Sequence, residues 1–171
     1  MLPNKLLRFT FFGLLVCWSA GLLAGCGFQP LYGSHRAQKS VAPQLANVYV
    51  TPIPDAAGQQ LRNMLLDGLP TGTAQPRYVL NIALSEGKIG IAIARDATVT
   101  RQQLRSNLKA SLLDRTTGKT VWQQEIFTSS GYNVQGSQLS TLVGEDDART
   151  RNARDLSERL LNMLALYFER S

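Results

Sequence analysis

The chain has 171 residues, of which 44% are hydrophobic and 18% are charged, with 18 Lys and Arg against 12 Asp and Glu. Two cysteines and one histidine are too few for a disulfide scaffold or a Cys/His zinc site. The mild, dispersed basic excess does not favour DNA or RNA as a partner. It suits an acidic partner such as a phosphorylated glycolipid or an anionic membrane face, although a soluble domain without such a partner carries this charge equally well.

The first 25 residues predict a cleaved secretory signal. Lys5 and Arg8 precede an apolar run from Phe9 to Leu23 that ends in small residues. The run has about fifteen residues, fewer than the roughly 20 that a membrane-spanning helix needs. A permanent transmembrane anchor is therefore the less favoured alternative.

A lipobox ends this signal. Leu23-Ala24-Gly25-Cys26 supplies an aliphatic residue, two small residues and a thiol that receives lipid. We predict cleavage before Cys26 and a covalent lipid on that residue, with no other cofactor and no metal. The alternative is an ordinary signal with an incidental cysteine.

The processed chain has few residues suited to catalysis. Cys17 leaves with the signal and Cys26 is consumed by the lipid, so no thiol remains. His35, the only histidine, lies in a polar stretch beside the predicted anchor, where a Ser-His-Asp relay is not expected. We therefore predict a protein that is not an enzyme.

About 146 residues remain after cleavage, enough for one domain with a modest core. Residues 26–46 are predicted to be the lipidated N-terminus and a linker, because the stretch from Gly33 to Ala46 is aperiodic and rich in loop-forming residues. Residues 47–171 are predicted to form a single α+β domain.

The domain is expected to begin with a short strand and a helix. The strand spans Asn47 to Ile53 and is stopped by prolines. Asp55 is a candidate cap for the following helix, and Gly68 is expected near its end in a left-handed conformation. Four apolar residues share one helical face: Leu61, Met64, Leu65 and Leu69.

A strand from Tyr78 changes the parity of its apolar residues. Leu80, Ile82 and Leu84 lie at even positions, whereas Ile89, Ile91 and Ile93 lie at odd positions. A one-residue slip turns every side chain to the other face. The favoured interpretation is a β-bulge within Ser85-Glu86-Gly87-Lys88, and the alternative is two strands joined by a turn there.

The next strand follows a turn at Arg95-Asp96-Ala97-Thr98 and is strongly amphipathic. Leu104, Leu108, Ala110 and Leu112 form its core side, and Arg101, Arg105 and Lys109 lie on its polar side. The polar side is either a solvated sheet face or a cationic surface for an anionic glycolipid or an acidic lumen. Guanidinium groups form paired hydrogen bonds with phosphate, so Arg101 and Arg105 are candidate residues for binding an anionic glycolipid.

A turn at residues 114–119 leads into a strand from Thr120 to about Tyr132, in which Trp122 is expected to pack in the core. Gly131 to Gly144 is predicted to be a loop. A terminal helix is predicted to open at Glu145, with acids at its positive end. Its apolar stripe consists of Ala153, Leu156, Leu160, Leu164 and Tyr167, with Met163 beside it.

These elements predict the α+β class, with two helices packed on one face of a roughly four-stranded sheet in the order strand-helix-strand-strand-strand-helix. The order over Asn47 to Arg170, and above all the octad Cys26-Gly27-Phe28-Gln29-Pro30-Leu31-Tyr32-Gly33, resembles the outer-membrane LPS-assembly lipoproteins of the LptE family, in their alphaproteobacterial form.

The resemblance implies a non-enzymatic lipoprotein, anchored in the outer membrane, that plugs the lumen of the barrel LptD and assists barrel assembly and LPS delivery. It also implies that a basic residue at one end of the sheet contacts LPS, and Arg95 occupies the matching position. A second basic position is replaced here around Gly144-Glu145. The alternatives are another envelope module, such as a secretin pilot or a barrel assembly factor, and a lipid-anchored hydrolase, for which no nucleophile-base pair is present.

Overall fold

The computed structural model describes residues 41–91, 100–134 and 137–171. The signal, Cys26 and its octad, His35, most of the predicted linker and the turn that contains Arg95 lie outside these residues. The described elements are α1 (Val41–Leu45), β1 (Val48–Val50), α2 (Asp55–Gly68), β2 (Tyr78–Ile91), β3 (Thr100–Asp114), β4 (Lys119–Val134) and α3 (Gln138–Arg170).

The four strands form one sheet in the order β1-β2-β3-β4. β1 pairs parallel to β2, and the other two pairs are antiparallel. The predicted α+β class and element order are confirmed. The short helix α1 is an addition, since it lies within the stretch predicted to be a linker, and Val41 and Leu45 pack against the core.

The core lies between the inner face of the sheet and the helices α2 and α3. Apolar alternation directs Leu80, Leu108 and Leu112 inward, and all three are fully buried. Helical spacing brings two leucines of α2 and three of α3 onto the same core: Leu61, Leu65, Leu156, Leu160 and Leu164. The opposite face of the sheet, which we call the outer face, is not covered by any described helix.

The start of α2 differs from the prediction. Pro54 occupies the N-cap position and makes no side-chain cap hydrogen bond, so Asp55 is not the cap. Asp55 instead adopts a positive φ of 66°, which aspartate tolerates better than most residues. Gly68, which was expected to be left-handed, does not have a positive φ. A side chain there would meet Leu161 of α3, so this glycine permits close approach of the two helices.

The β-bulge predicted within residues 85–88 is wrong, and so is the two-strand alternative. β2 pairs with β3 in one unbroken register from Tyr78↔Asp114 to Ile91↔Arg101. The apolar parity changes because the inner face itself becomes polar after Leu84, where Glu86 and Lys88 form ion pairs with α3. A bulge does occur between β3 and β4, where the register shifts at Leu112 and Leu113.

The loop predicted from Gly131 to Gly144 is also wrong. β4 continues to Val134, and α3 begins at Gln138 rather than at Glu145. Ser137 caps the helix by accepting a hydrogen bond from the backbone N–H of Ser140. The apolar stripe of α3 is confirmed, with Phe168 as an additional buried residue at its end.

Candidate functional site

The outer face carries the residues predicted as candidate glycolipid contacts. Odd-numbered residues of β2, β3 and β4 share this face because side chains alternate along each strand and the registers keep odd residues opposite odd residues. Arg101, Arg105 and Lys109 follow one another along the centre of the sheet, and all three are exposed. The predicted cationic side of this strand is therefore confirmed as a geometric feature.

Arg105 is held in place by two neighbours. Its guanidinium lies 4.5 Å from the ring centroid of Phe127, which is 59% exposed. Its Nε donates a hydrogen bond of 3.3 Å to Asn107 Oδ1. Stacking of this kind contributes about 0.5–1 kcal/mol at an exposed site. It orients the guanidinium without neutralising its charge, so Arg105 remains suited to an anionic ligand.

The guanidinium of Arg101, on β3, lies over Gly131 of the neighbouring strand β4. A Cβ atom built at Gly131 would stand 3.2 Å from Arg101 Nε and Nη2, so the missing side chain makes room for the guanidinium. Among the described residues, neither Arg101 nor Arg105 forms an ion pair with a carboxylate. The two arginines thus present uncompensated positive charge on one face.

Lys109 differs from the two arginines. Its Nζ lies 3.7 Å from Glu125 Oε1, and both side chains are largely exposed. Such a pair contributes little to stability, but it lowers the net charge of this part of the face. The uncompensated charge therefore lies toward the end of the sheet where β2 ends and β3 begins. Arg95 belongs to the connection between those strands and lies outside the described residues.

An ion-pair network on the inner face was not predicted. Glu145 Oε2 accepts a hydrogen bond of 2.7 Å from Lys88 Nζ, and Glu145 Oε1 accepts one of 2.9 Å from Arg149 Nη2. Arg149 Nε also donates to Glu86 Oε2 at 3.0 Å. The hydrogen bond from Lys88, and then that from Arg149, lower the pKa of Glu145 below its ordinary value.

This network explains why an acid stands at Glu145, where the resemblance led us to expect a basic residue. Glu145 joins β2 to α3 and is only 13% exposed. The sequence did contain a signal for this network. Glu86 and Lys88 lie at even positions after Leu84, so they continue the inner side of the strand and face α3. The position is structural here and does not add a cation to the outer face.

A buried polar contact links the same parts of the fold. Asn152 is 1% exposed, and its Nδ2 donates to Leu104 O at 2.9 Å and to Ser106 Oγ at 3.0 Å. Ser106 Oγ in turn donates to Glu86 Oε1 at 3.3 Å. This contact fixes α3 against the centre of β3, on the side opposite the two arginines.

Over residues 41–91, 100–134 and 137–171, no group of three acidic, histidine or cysteine side chains is placed to hold a metal ion. In the same part of the chain, no helix has the length and apolarity required to span a membrane.

Comparisons with known proteins point to one family. The LptE family model, described as lipopolysaccharide-assembly, matches residues 45–164. No curated protein matches the chain.

The fold is similar to solved lipoprotein structures. A protein from Caulobacter crescentus CB15 described as a lipoprotein is 20% identical, with a TM-score of 0.63 over 77% of this chain and 97% of that one. Uncharacterized lipoprotein B from Nitrosomonas europaea is 17% identical, with a TM-score of 0.55 over 70% and 82%. Rare lipoprotein B from Shewanella oneidensis is 13% identical, with a TM-score of 0.52 over 70% and 92%.

Proposed function

The chain belongs to the LptE family of lipopolysaccharide-assembly lipoproteins, and on that premise we propose that it plugs the LPS translocon barrel LptD in the outer membrane. In this proposal a lipid on Cys26 anchors the protein. The domain occupies the barrel lumen, assists barrel assembly and helps to deliver LPS to the cell surface. The observation that carries the proposal is the family match over residues 45–164, which spans the sheet and most of α3.

The outer face supports a role as a plug. Its central column alternates cations with the amides Gln103 and Asn107, and β4 adds Gln123, Ser129 and Asn133. The interior of an outer-membrane barrel is polar, and a surface of amides and hydroxyls hydrogen-bonds such an interior. A plug also needs no catalytic group.

The barrel complex is tested by solubilising native membranes in mild detergent, capturing the full chain and identifying its partner. We expect a large outer-membrane barrel to co-purify. Depletion of the protein should lower both the amount of assembled barrel and the surface LPS. Normal levels of both after depletion would overturn the proposal, and co-purification of a secretin would favour a pilot protein instead.

The anchor is tested separately by mass spectrometry of the protein isolated from membranes. We expect the mature chain to begin at an acylated Cys26. Cys26→Ala should leave an unprocessed or unacylated form. An unmodified N-terminus elsewhere in the wild-type protein would contradict lipidation at this residue.

The LPS contact is assigned to Arg101 and Arg105, together with Arg95. Arg101 and Arg105 are four residues apart on one face, a span of roughly 13 Å that several phosphates or sugar acids can bridge. Binding through these charges should weaken as salt is added, because exposed charges are screened over about 10 Å at 0.1 M ionic strength.

The assay compares LPS binding by the wild-type chain with Arg95→Ala and with Arg101→Ala/Arg105→Ala, at low and high salt. Arg115→Ala/Lys119→Ala is the matched control, since it removes two exposed cations at the opposite end of the sheet. We expect weaker binding in Arg95→Ala and in the Arg101/Arg105 variant only. Equal binding in all variants and at both salt concentrations would refute the assignment.

A further inference from the structure

The guanidinium groups of Arg101 and Arg151 meet at one residue, Gly131. Arg101 extends from the outer face of β3, and its Nε and Nη2 lie 3.2 Å from the point where a Cβ atom of Gly131 would stand. Arg151 extends from α3, on the other side of the sheet, and its Nη2 donates a hydrogen bond of 3.1 Å to Gly131 O. A strand and a helix thus each place one guanidinium against the same glycine.

The position of Arg101 depends on strand register and on the missing side chain. Its cross-strand partner in β4 is Asn133, yet its guanidinium lies over Gly131, two residues nearer the start of β4. Diagonal neighbours of this kind are about 7–8 Å apart, a distance that a long side chain covers. A side chain at Gly131 would fill the space that the guanidinium uses, so the glycine is part of the arrangement.

Arg151 is held in place by two contacts. Its Nη1 forms an ion pair with Asp147, one helical turn earlier, and its Nη2 donates to Gly131 O. A guanidinium carries five N–H donors, and the described residues occupy only part of them here. The side chain is also 45% exposed. Arg151 is therefore oriented by the protein and still able to donate to a ligand.

The net charge of this arrangement is positive. The two guanidinium groups are opposed by one carboxylate, that of Asp147, because Arg101 forms no ion pair with a described acid. Asp147 is 63% exposed, so water weakens its effect on the neighbouring charges. The other acids in this part of α3, Glu145 and Asp146, pair with Arg149 instead.

We propose that Arg101 and Arg151 form an arginine clamp that binds one phosphate group of the glycolipid across Gly131. The inference rests on the LPS contact proposed above and adds Arg151 to it. A phosphate monoester offers three acceptor oxygens to two guanidinium forks, whereas both oxygens of a sugar carboxylate are used by a single fork. Arg105 is stacked on Phe127, four residues along β3 from Arg101, and is left for another anionic group of the same glycolipid.

Binding of phosphorylated LPS to the full chain in mild detergent tests the clamp. Arg151→Ala should weaken binding roughly tenfold, the loss that one charge-assisted hydrogen bond accounts for. Arg151→Lys should show most of this loss, because an ammonium group keeps the charge but lacks the fork. Arg159→Ala is the matched control, since Arg159 forms the same kind of i,i+4 pair, with Asp155, further along α3.

Two comparisons show whether both arginines hold one phosphate. The losses in Arg101→Ala and Arg151→Ala should not add in the double variant, because either change already breaks the clamp. Phosphatase treatment of the LPS should abolish the difference between Arg151→Ala and the wild-type chain. Additive losses, or a difference that survives phosphatase treatment, would overturn the shared phosphate.

The outcomes separate the clamp from the proposed function. If Arg151→Ala binds LPS as tightly as Arg159→Ala does, while Arg101→Ala/Arg105→Ala binds it weakly, the clamp is wrong and the proposed LPS contact stands.

Inorganic phosphate gives a readout that does not depend on LPS. In an NMR titration of the full chain, the Nε–H signals of Arg101 and Arg151 should shift together, and that of Arg159 should not. These shifts in a chain that fails to bind LPS would support the clamp and contradict the proposed LPS contact. An unshifted Arg151 signal, or an equal shift of Arg159, would overturn the clamp.

Discussion

Asn152→Asp changes one buried amide to a carboxylate of the same size. Asn152 is 1% exposed and uses Nδ2 to reach Leu104 O and Ser106 Oγ. Aspartate loses both donated hydrogen bonds. It also places a negative charge near Glu86, which already accepts a hydrogen bond from the same serine.

The magnitude follows from burial. A carboxyl group has an ordinary pKa near 3.9, and full burial raises it by up to about 3–5 units. At 1.36 kcal/mol per unit, an upward shift of three units or more destabilises the fold at pH 7 by about 4 kcal/mol. The lost hydrogen bonds cost about 1 kcal/mol each at any pH. The raised pKa in the folded state means that the charge penalty is full above that pKa and disappears as pH falls toward 4.

The measurement is chemical denaturation of the full chain in mild detergent, followed by tryptophan fluorescence, at pH 7 and at pH 4.5. We expect Asn152→Asp to lose about 6 kcal/mol at pH 7 and roughly half of that at pH 4.5. Asn152→Ala, which loses the donors without adding a charge, should show a deficit independent of pH. A pH-independent deficit in Asn152→Asp would refute the reasoning from a buried charge.

The remaining predictions concern the hairpin between β3 and β4. The hydrogen bond from Arg77 lowers the pKa of Asp114 to about 2 from 3.8, so its contribution to stability should be present above pH 4 and lost as pH falls toward 2. Asp114→Asn should remove that pH dependence, and an unchanged acid titration of unfolding would contradict it. Gly118 has a φ of 68°, so Gly118→Ala should cost about 1–2 kcal/mol. In contrast, Gly87→Ala enters open space and escapes this left-handed penalty, and equal losses in the two variants would argue against backbone strain.

The parts of the fold that the sequence predicted are those with regular apolar spacing. Leu104 and Leu108 in β3, and Leu156 and Leu160 in α3, repeat at the periods of a strand and of a helix, and all four are buried as expected. The outer-face position of Arg101 and Arg105 followed from the same alternation. The stack of Arg105 on Phe127 and the space for Arg101 over Gly131 depend on strand register, which the spacing within one strand does not determine.

The errors arose where ion pairs or exposed residues replaced apolar burial. Glu86 and Lys88 interrupt the apolar side of β2 without interrupting the strand, because α3 supplies their partners. The first turns of α3 contain Leu139, Leu142 and Val143, which are exposed, so they gave no core-facing signal for a helix. Polar residues around them suggested a loop instead.

The two halves of α3 are attached to the sheet by different forces. Leu156, Leu160 and Leu164 bury the second half, whereas the first half buries only the small or polar side chains of Ala148, Asn152 and Ala153 and is joined to β2 through Glu145 and Arg149. The attraction within partly exposed ion pairs weakens as salt is added, whereas the packing of buried leucines does not weaken. The free energy of local opening should therefore fall from the C-terminal half of α3 toward Gln138, so that the first turns exchange their amide hydrogens without unfolding the core. One continuous helix thus provides both a fixed support for the sheet and a segment that ionic conditions can release.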